Sequence, residues 1–186
     1  MENKVFNAKN KGKLDSPKRR EMLPPEETLL RFGLKEGDVV ADVGCGTGYF
    51  SFPAYEITKS KVYAIDLSQE MLDYLSSKKT NELIDTVLSD GDNFKIDDGS
   101  ASFTLLSTVL HEINETETFI DELARITSDN GTLGIIEWKY ADTKMGPKLS
   151  HRLSIKQIEE MCDNHFTMTE TFEINGAFTG IILKKK

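Results

Sequence analysis

The run Val39-Val40-Ala41-Asp42-Val43-Gly44-Cys45-Gly46-Thr47-Gly48 constrains this chain more than any other segment. Its β-branched residues suit a pleated strand, and glycine at every second position then ends that strand in a loop of bare backbone against which a ligand can lie. A second apolar run, Val62-Tyr63-Ala64-Ile65, ends in Asp66, eighteen residues past Gly48. That spacing suits a carboxylate reaching the ribose of a nucleoside held over the first loop.

Around these two runs, strand and helix signals alternate. Pro24-Pro25-Glu26-Glu27 opens a helix, with proline in the first turn and acids at the positive end of the dipole, and Gly33 closes it. Residues 48–58 are expected to be helical, with Pro53 near the first turn where its missing N–H is tolerated. A strand over 61–67 leads to a helix capped by Ser68, followed by strands over 86–89 and 103–110, the latter buried on both faces as parallel strands are. A helix over 115–128 and a turn at Asp129-Asn130-Gly131 lead into a fifth strand over 132–138. After a loop over 141–150, Ser154 caps a helix ending near Asn164-His165, and strands over 168–174 and 178–183 are joined by the hairpin signal Asn175-Gly176. The pattern predicts a three-layer α/β/α sheet with an antiparallel finish.

Residues 24–186 read as one domain, preceded by a basic arm over residues 1–23. Residues 4–20 carry Lys4, Lys9, Lys11, Lys13, Lys18, Arg19 and Arg20 against Asp15, and the arm reads as a solvated terminus, a docking surface or an active-site lid; Phe6 and Leu14 motivate the lid. The chain as a whole is acidic, and a formal charge of −8 with a pI near 5.0 opposes general nucleic-acid binding. Its apolar stretches are only strand-length and no signal-peptide pattern opens it, which predicts a soluble, cytoplasmic protein without a membrane partner. Cys45 and Cys162 form no clustered motif, and His111, His151 and His165 lack metal-ligand spacing, so no metal site is expected.

Glycine spacing alone does not choose among nucleoside ligands. A pyrophosphate wants bare N–H groups and is repelled by a carboxylate at the loop entrance, whereas S-adenosylmethionine (SAM) presents an ammonium and a sulfonium that such a carboxylate favours. Asp42, two residues before Gly44, therefore argues for SAM. The chain resembles the class I SAM-dependent methyltransferases. Residues 39–48 are similar to their first motif, Ala64-Ile65-Asp66-Leu67-Ser68 to their second, Val109-Leu110-His111-Glu112-Ile113 to the end of their fourth strand, and residues 131–139 to their fifth. Within the class, Leu110-His111-Glu112, Glu137-Trp138-Lys139, and Gly146-Pro147 with His151-Arg152-Leu153-Ser154 resemble the quinone-biosynthesis and arsenite methyltransferase-like branch, although the thiols of the arsenite enzymes have no counterpart in Cys45 and Cys162.

The resemblance implies a Rossmann-like seven-stranded sheet of order 3-2-1-4-5-7-6 with strand 7 antiparallel. It implies that Gly44, Gly46 and Gly48 let the methionine part of SAM lie on backbone, that Asp42 holds its amino group directly or through water, and that Asp66 takes both ribose hydroxyls. Leu67 would pack on the adenine and Asp92 accept from its amino group, with Asp90 as the rival.

His111, beside Glu112 at the carboxyl end of the fourth strand, and Glu137, ending the fifth, fall on the rim where open α/β sheets bind ligands. They are candidates for a general base, with a structural histidine as the alternative. Tyr49 could wall the methyl pocket, Trp138 reads as rim packing or a substrate platform, and His151 and Arg152 as contacts to an acidic substrate or as neutralisers of nearby acids. The expected activity is in-line transfer of a methyl group from SAM to a small-molecule acceptor, with the basic arm or a homodimer partner covering the cleft. A non-catalytic SAM-binding or SAM-sensing module with a protein partner at the rim is the alternative, and a nicotinamide oxidoreductase the second.

Overall fold

Residue alternation within the strands decides the layering. In a computed structural model, which describes residues 16–91, 93–142 and 145–186, Val62 and Ala64 join one buried apolar cluster while Tyr63 and Ile65 join another. A strand with apolar side chains on both faces must be covered on both. Leu29, Ala54, Leu72 and Leu75 cover the first face, and Phe119, Leu123 and Ile158 the second.

The elements run α1 (Pro17–Met22), α2 (Pro25–Arg31), β1 (Val40–Val43), α3 (Ser51–Thr58), β2 (Val62–Asp66), α4 (Gln69–Lys78), β3 (Ile84–Leu88), β4 (Ala101–Ser107), α5 (Thr116–Ile126), β5 (Thr127–Trp138), α6 (Ile155–Cys162), β6 (Phe166–Ile174) and β7 (Phe178–Lys185), with single 3₁₀ turns at Leu110–Glu112 and Leu149–His151. They build one seven-stranded sheet of order β3-β2-β1-β4-β5-β7-β6. The pairs among β1 to β5 are parallel, and β7 runs antiparallel to both β5 and β6, as the sequence resemblance implies. The order reverses at β1, leaving a crevice above the carboxyl ends of β1 and β4.

Several boundaries differ from expectation for local reasons. β3 starts at Ile84 rather than residue 86, because the Asn81 side chain accepts from the Leu83 N–H at 2.8 Å and turns Ile84 into the core. β4 stops at Ser107 rather than residue 110, because Thr108 takes the left-handed conformation (φ 58°). β5 begins at Thr127, and Asp129-Asn130-Gly131 forms a bulge within it: pairing with β4 steps from Ala101↔Thr127 to Phe103↔Thr132. α6 ends at Cys162, two residues before the expected Asn164.

The end of the basic arm is ordered against the body. Ser16 caps α1 and Pro17 enters its first turn; Leu23, after the helix, is fully buried, and its carbonyl accepts a 2.6 Å bond from the Tyr49 hydroxyl. Asn175 of the β6–β7 turn donates to the Glu21 carbonyl at 3.0 Å. The rest of the arm, residues 1–15 with Phe6 and Leu14, lies outside the described residues.

Candidate active site

A cavity of about 690 Å³ opens above β1, β2 and β4. One end is built by the β1–α3 loop and the β2–α4 turn; the other by α1, the Leu110–Glu112 turn and residues 145–147. Gly44, Cys45, Gly46 and Thr47 give the first end a backbone wall, and Asp42, Asp66 and Leu67 face it.

The loop glycines serve the fold as well as the wall. Gly44 has φ +75°, and a Cβ there would collide with Val109 Cγ2; Gly48 has φ +85°, and its Cβ would meet Phe52 at 2.8 Å and Leu75 at 3.0 Å. Gly48 is not part of the cavity wall, so its bare backbone is explained by packing beneath α3 and α4 rather than by a ligand. Gly44 and Gly46 do face the cavity.

Asp42 is 2% exposed, and its Oδ2 accepts from the Ser51 hydroxyl at 2.6 Å. Burial pushes its carboxyl up to about 7; the Ser51 bond opposes that rise, the Asp66 charge adds to it, and the Arg19 charge opposes it. Asp66 ties two loops together: Oδ2 accepts from the Gly46 N–H and Oδ1 from the Ser68 N–H, both at 2.8 Å. Burial also raises its carboxyl, against the pull of those backbone bonds. A carboxylate has about four lone-pair sites, so Asp66 retains capacity for ribose hydroxyls. Leu67 stands 52% exposed beside it, an apolar platform suited to a base. Asp92 lies outside the described residues, while its neighbours Gly91 and Phe94 line the cavity. Asp90 is exposed and ion-paired with Lys95, away from the wall.

Ser107 fits the same ligand from the β4 side. It is 9% exposed, its Oγ has no hydrogen-bond partner among the described residues, and it faces the cavity. A buried hydroxyl without a partner is costly unless something supplies one. The next residue, Thr108, is β-branched in the left-handed region, an arrangement that carries strain. Paired carboxylates, a backbone wall, an apolar platform and an unsatisfied hydroxyl together suit a cationic nucleoside such as SAM.

At the other end His111 lines the cavity and Glu137 stands behind it, outside the wall and 1% exposed. His111 Nδ1 lies 2.8 Å from Glu137 Oε2, and the His111 backbone N–H donates to Glu137 Oε1 at 3.2 Å. Burial alone would lower the imidazole's affinity for a proton, but the hydrogen bond and charge of Glu137 more than offset it and raise the His111 pKa above its ordinary value. Engagement of Nδ1 leaves Nε2 as the other ring nitrogen, 3.9 Å from Glu112 Oε1. The sequence treats His111 and Glu137 as equivalent candidates; the structure places one at the cavity and the other as its support.

Much of the remaining wall is apolar, with Met22, Phe50, Ile113, Trp138, Pro147 and Phe178 and the ring of Tyr49 under α1, while Lys18, Arg19 and Glu112 add charged side chains to it. Trp138 packs on Phe178 with ring centroids 4.5 Å apart and still faces the cavity. Arg152 and His151, considered as substrate contacts, do not line it. Arg152 is 4% exposed and donates to the carbonyls of Pro147 (2.9 Å), Lys139 (2.8 Å), Ala141 (2.7 Å) and Met145 (2.5 Å), so it ties residues 139–142 to the cavity-lining residues 145–147. His151 is exposed. Ser107, the Ser51–Asp42 bond and the Arg152 staple had no sequence signal, because each joins residues whose proximity only the fold creates. Cys45 and Cys162 are buried free thiols, both pushed upward by burial, Cys162 to about 12. Among the described residues no cluster of His, Cys, Asp and Glu could hold a metal, and no helix is long and apolar enough to cross a membrane.

Comparison with known proteins agrees with this geometry. The family described as a methyltransferase domain matches residues 41–135. A SAM-dependent methyltransferase from Aquifex aeolicus superposes with a TM-score of 0.93 at 28% identity, covering 98% of this chain and 100% of its own. A putative type 11 methyltransferase from Sulfolobus solfataricus is 31% identical, with a TM-score of 0.75, over 88% of this chain and 92% of its own. Among curated sequences, the ribosomal protein L11 methyltransferase of Thermotoga neapolitana is 29% identical over 114 residues, which is 60% of this chain and only 42% of the relative. The sheet order, the glycine loop between two acidic strand ends and the family match over half of the sequence lead to one conclusion: the chain belongs to the methyltransferase domain family and is built on the class I SAM-dependent methyltransferase fold.

Proposed function

We propose that the protein transfers a methyl group from SAM to a small-molecule acceptor. The observation that carries this reading is the continuity of the cavity, which joins the carboxylate-lined nucleoside end to a largely apolar chamber flanked by α1 and residues 145–147 and ending on His111. Its roof argues for an acceptor that enters as a small molecule rather than one presented on the surface of a folded protein, as the name of the ribosomal protein L11 relative implies for that enzyme. Residues 24–186 would form the methyltransferase domain, and the part of the arm in α1 would act as its cover. The residues that suggest the quinone-biosynthesis and arsenite methyltransferase-like branch surround the acceptor end: His111 with Glu137, and Gly146-Pro147 against Trp138. The high thiol pKa values argue against a thiolate-bound metalloid.

When bound, SAM supplies a methyl on a positively charged sulfur that becomes neutral as the methyl departs. The protein's part is to align and to exclude water. Asp42 and Asp66 hold the cationic nucleoside from two sides, and Gly44 and Gly46 give it backbone to lie on. Trp138, Phe178, Met22 and Pro147 keep the acceptor chamber dry. His111 accepts at Nε2 the proton that an oxygen or nitrogen acceptor loses, and Glu137 stabilises the imidazolium from behind.

The test combines binding with product location. S-adenosylhomocysteine should bind in calorimetry, and Asp66→Ala should weaken that binding at least tenfold. Methyl-labelled SAM incubated with an extract of the source cells should deliver label to the low-mass fraction, and His111→Ala should abolish it. Label found in acid-precipitable protein would overturn the small-molecule reading.

A further inference from the structure

We propose that Gly146 and Trp138 together gauge the acceptor: the glycine seats the indole against β7, and the ring so held fixes how far an apolar acceptor can extend when its reactive atom lies at His111. The inference rests on the methyl-transfer reading above and gives the Gly146-Pro147 pair a role on the acceptor side of the cavity.

Gly146 lies directly on the Trp138 ring. A Cβ built on it would stand 2.6 Å from Cδ2 and Cε3 and 2.9 Å from Cζ3 of the indole, and its φ is +83°. Three neighbouring ring atoms at nearly equal distance put the glycine over the face of the six-membered ring rather than beside its edge. No side chain fits there unless the loop or the ring gives way. The loop is held, because the carbonyls on either side of the glycine, Met145 and Pro147, both accept from Arg152, at 2.5 and 2.9 Å. The backbone that carries the ring is held as well: Trp138 pairs with Phe178 across β5 and β7, and the Lys139 N–H donates to the Ala177 carbonyl at 3.0 Å. Phe178 packs on the indole with centroids 4.5 Å apart, and Arg152 Cζ lies 5.8 Å from the ring. Among the described residues, the side left to the ring is the cavity, so a methyl added at position 146 would drive the indole into the acceptor chamber.

The ring also shares an anchor with the base. Glu137 Oε2, 2.8 Å from His111 Nδ1, accepts from the Trp138 backbone N–H at 3.3 Å. His111 and Trp138 line the same cavity, so one carboxylate supports both the residue that takes the acceptor's proton and the wall on which the acceptor's body ends. In an apolar pocket a single methylene discriminates by about 10-fold to 200-fold. An acceptor whose apolar part overshoots the ring cannot bring its reactive atom to His111, and a shorter one leaves a gap whose lining loses its contacts.

The test is a double-mutant cycle on the full chain, read by transfer from methyl-labelled SAM to the low-mass fraction of a source-cell extract, with S-adenosylhomocysteine binding measured by calorimetry alongside. Gly146→Ala should lower transfer by about 10-fold to 200-fold when Trp138 is present, and by less than about threefold in a Trp138→Phe background, where the smaller ring leaves room for the methyl. S-adenosylhomocysteine affinity should change by less than about twofold between Gly146→Ala and wild type, since the donor end is untouched. Trp138 is the only tryptophan of the chain, so its emission follows the ring without any acceptor: Gly146→Ala should shift the emission maximum and alter quenching by acrylamide. Equal losses of transfer in the two backgrounds would make Gly146 only a turn residue and overturn the proposal. So would an unmoved tryptophan signal, or a loss of S-adenosylhomocysteine binding that parallels the loss of transfer. If the wild type labelled no low-mass product at all, the small-molecule reading itself would fail, and the proposal with it.

Discussion

At the residue scale the site is governed by buried carboxylates whose ionisation a ligand must stabilise. Asp42, raised by burial to about 7, is largely neutral in the ligand-free protein below that pH. An ammonium partner favours the ionised form, so S-adenosylhomocysteine affinity should be level above pH 8 and fall about tenfold between pH 8 and pH 6. Asp42→Asn should weaken binding and flatten this profile in calorimetry. The stability sign is opposite: a carboxyl whose folded value exceeds its unfolded one favours the fold at low pH and costs stability as pH rises through about 7. Thermal unfolding of Asp42→Asn should therefore match wild type near pH 3, where the carboxyl is protonated in the folded and the unfolded chain alike, and exceed it increasingly up to about pH 7 and above. For His111 the shift comes from Glu137 against burial. In an NMR titration of the ring, Glu137→Gln should move the pKa downward, and no movement would separate the two residues functionally. Asp42, Asp66 and His111 were legible in the sequence because strand ends and loop spacing reveal them. That Glu137 supports His111 was not, since its distance from the cavity depends on how β4 and β5 pack.

Loops at the carboxyl ends of the strands do at the element scale what single residues cannot. Residues 139–142 and 145–147 carry no helix or strand, and the position of this stretch beside the cavity depends on four carbonyl bonds from one buried guanidinium. Arg152→Ala should release it, with a stability loss of about 2–3 kcal/mol from the stranded carbonyls and lost charge-assisted bonds. Brief trypsin treatment should then cut at Lys139 or Lys148 in the variant and spare wild type. Arg152→Lys should behave like the alanine variant, because one ammonium on a flexible stem cannot reach carbonyls spread from Lys139 to Pro147. β1, β2 and the β6–β7 hairpin were the most legible, because apolar runs that end in an acid beside a glycine loop or a helix cap, and an Asn-Gly turn, are local signals. The end of the basic arm was less so. α1 looked like a charge run because its short helix shows no apolar stripe; what orders it is Leu23 and Tyr49, a contact across 26 positions. The bulge in β5 reads as a turn in sequence, since Asn130 at φ 60° uses the same residue chemistry either way.

On the scale of the whole molecule, the sheet order is what gathers these parts. Reversal at β1 brings the ends of β1, β2, β4 and β5 together, so residues from Arg19 to Phe178 share one cavity. The order followed from the family resemblance and not from periodicity, which cannot tell a neighbour from a crossover. A ligand filling that cavity bridges both apolar clusters, because Tyr49 and Phe50 belong to one and Val43, Ile65 and Phe119 to the other. Binding should therefore stabilise the fold as a unit. At a hundred times its dissociation constant, S-adenosylhomocysteine adds about 2.7 kcal/mol, which for a chain of this size corresponds to a rise in Tm of roughly 5–10 °C. NAD should give none. Hydrogen exchange should localise the added protection to the β1–α3 loop, the β2–α4 turn and α1; a Tm rise with protection confined to the glycine loop would mean that the roof closes independently of the donor.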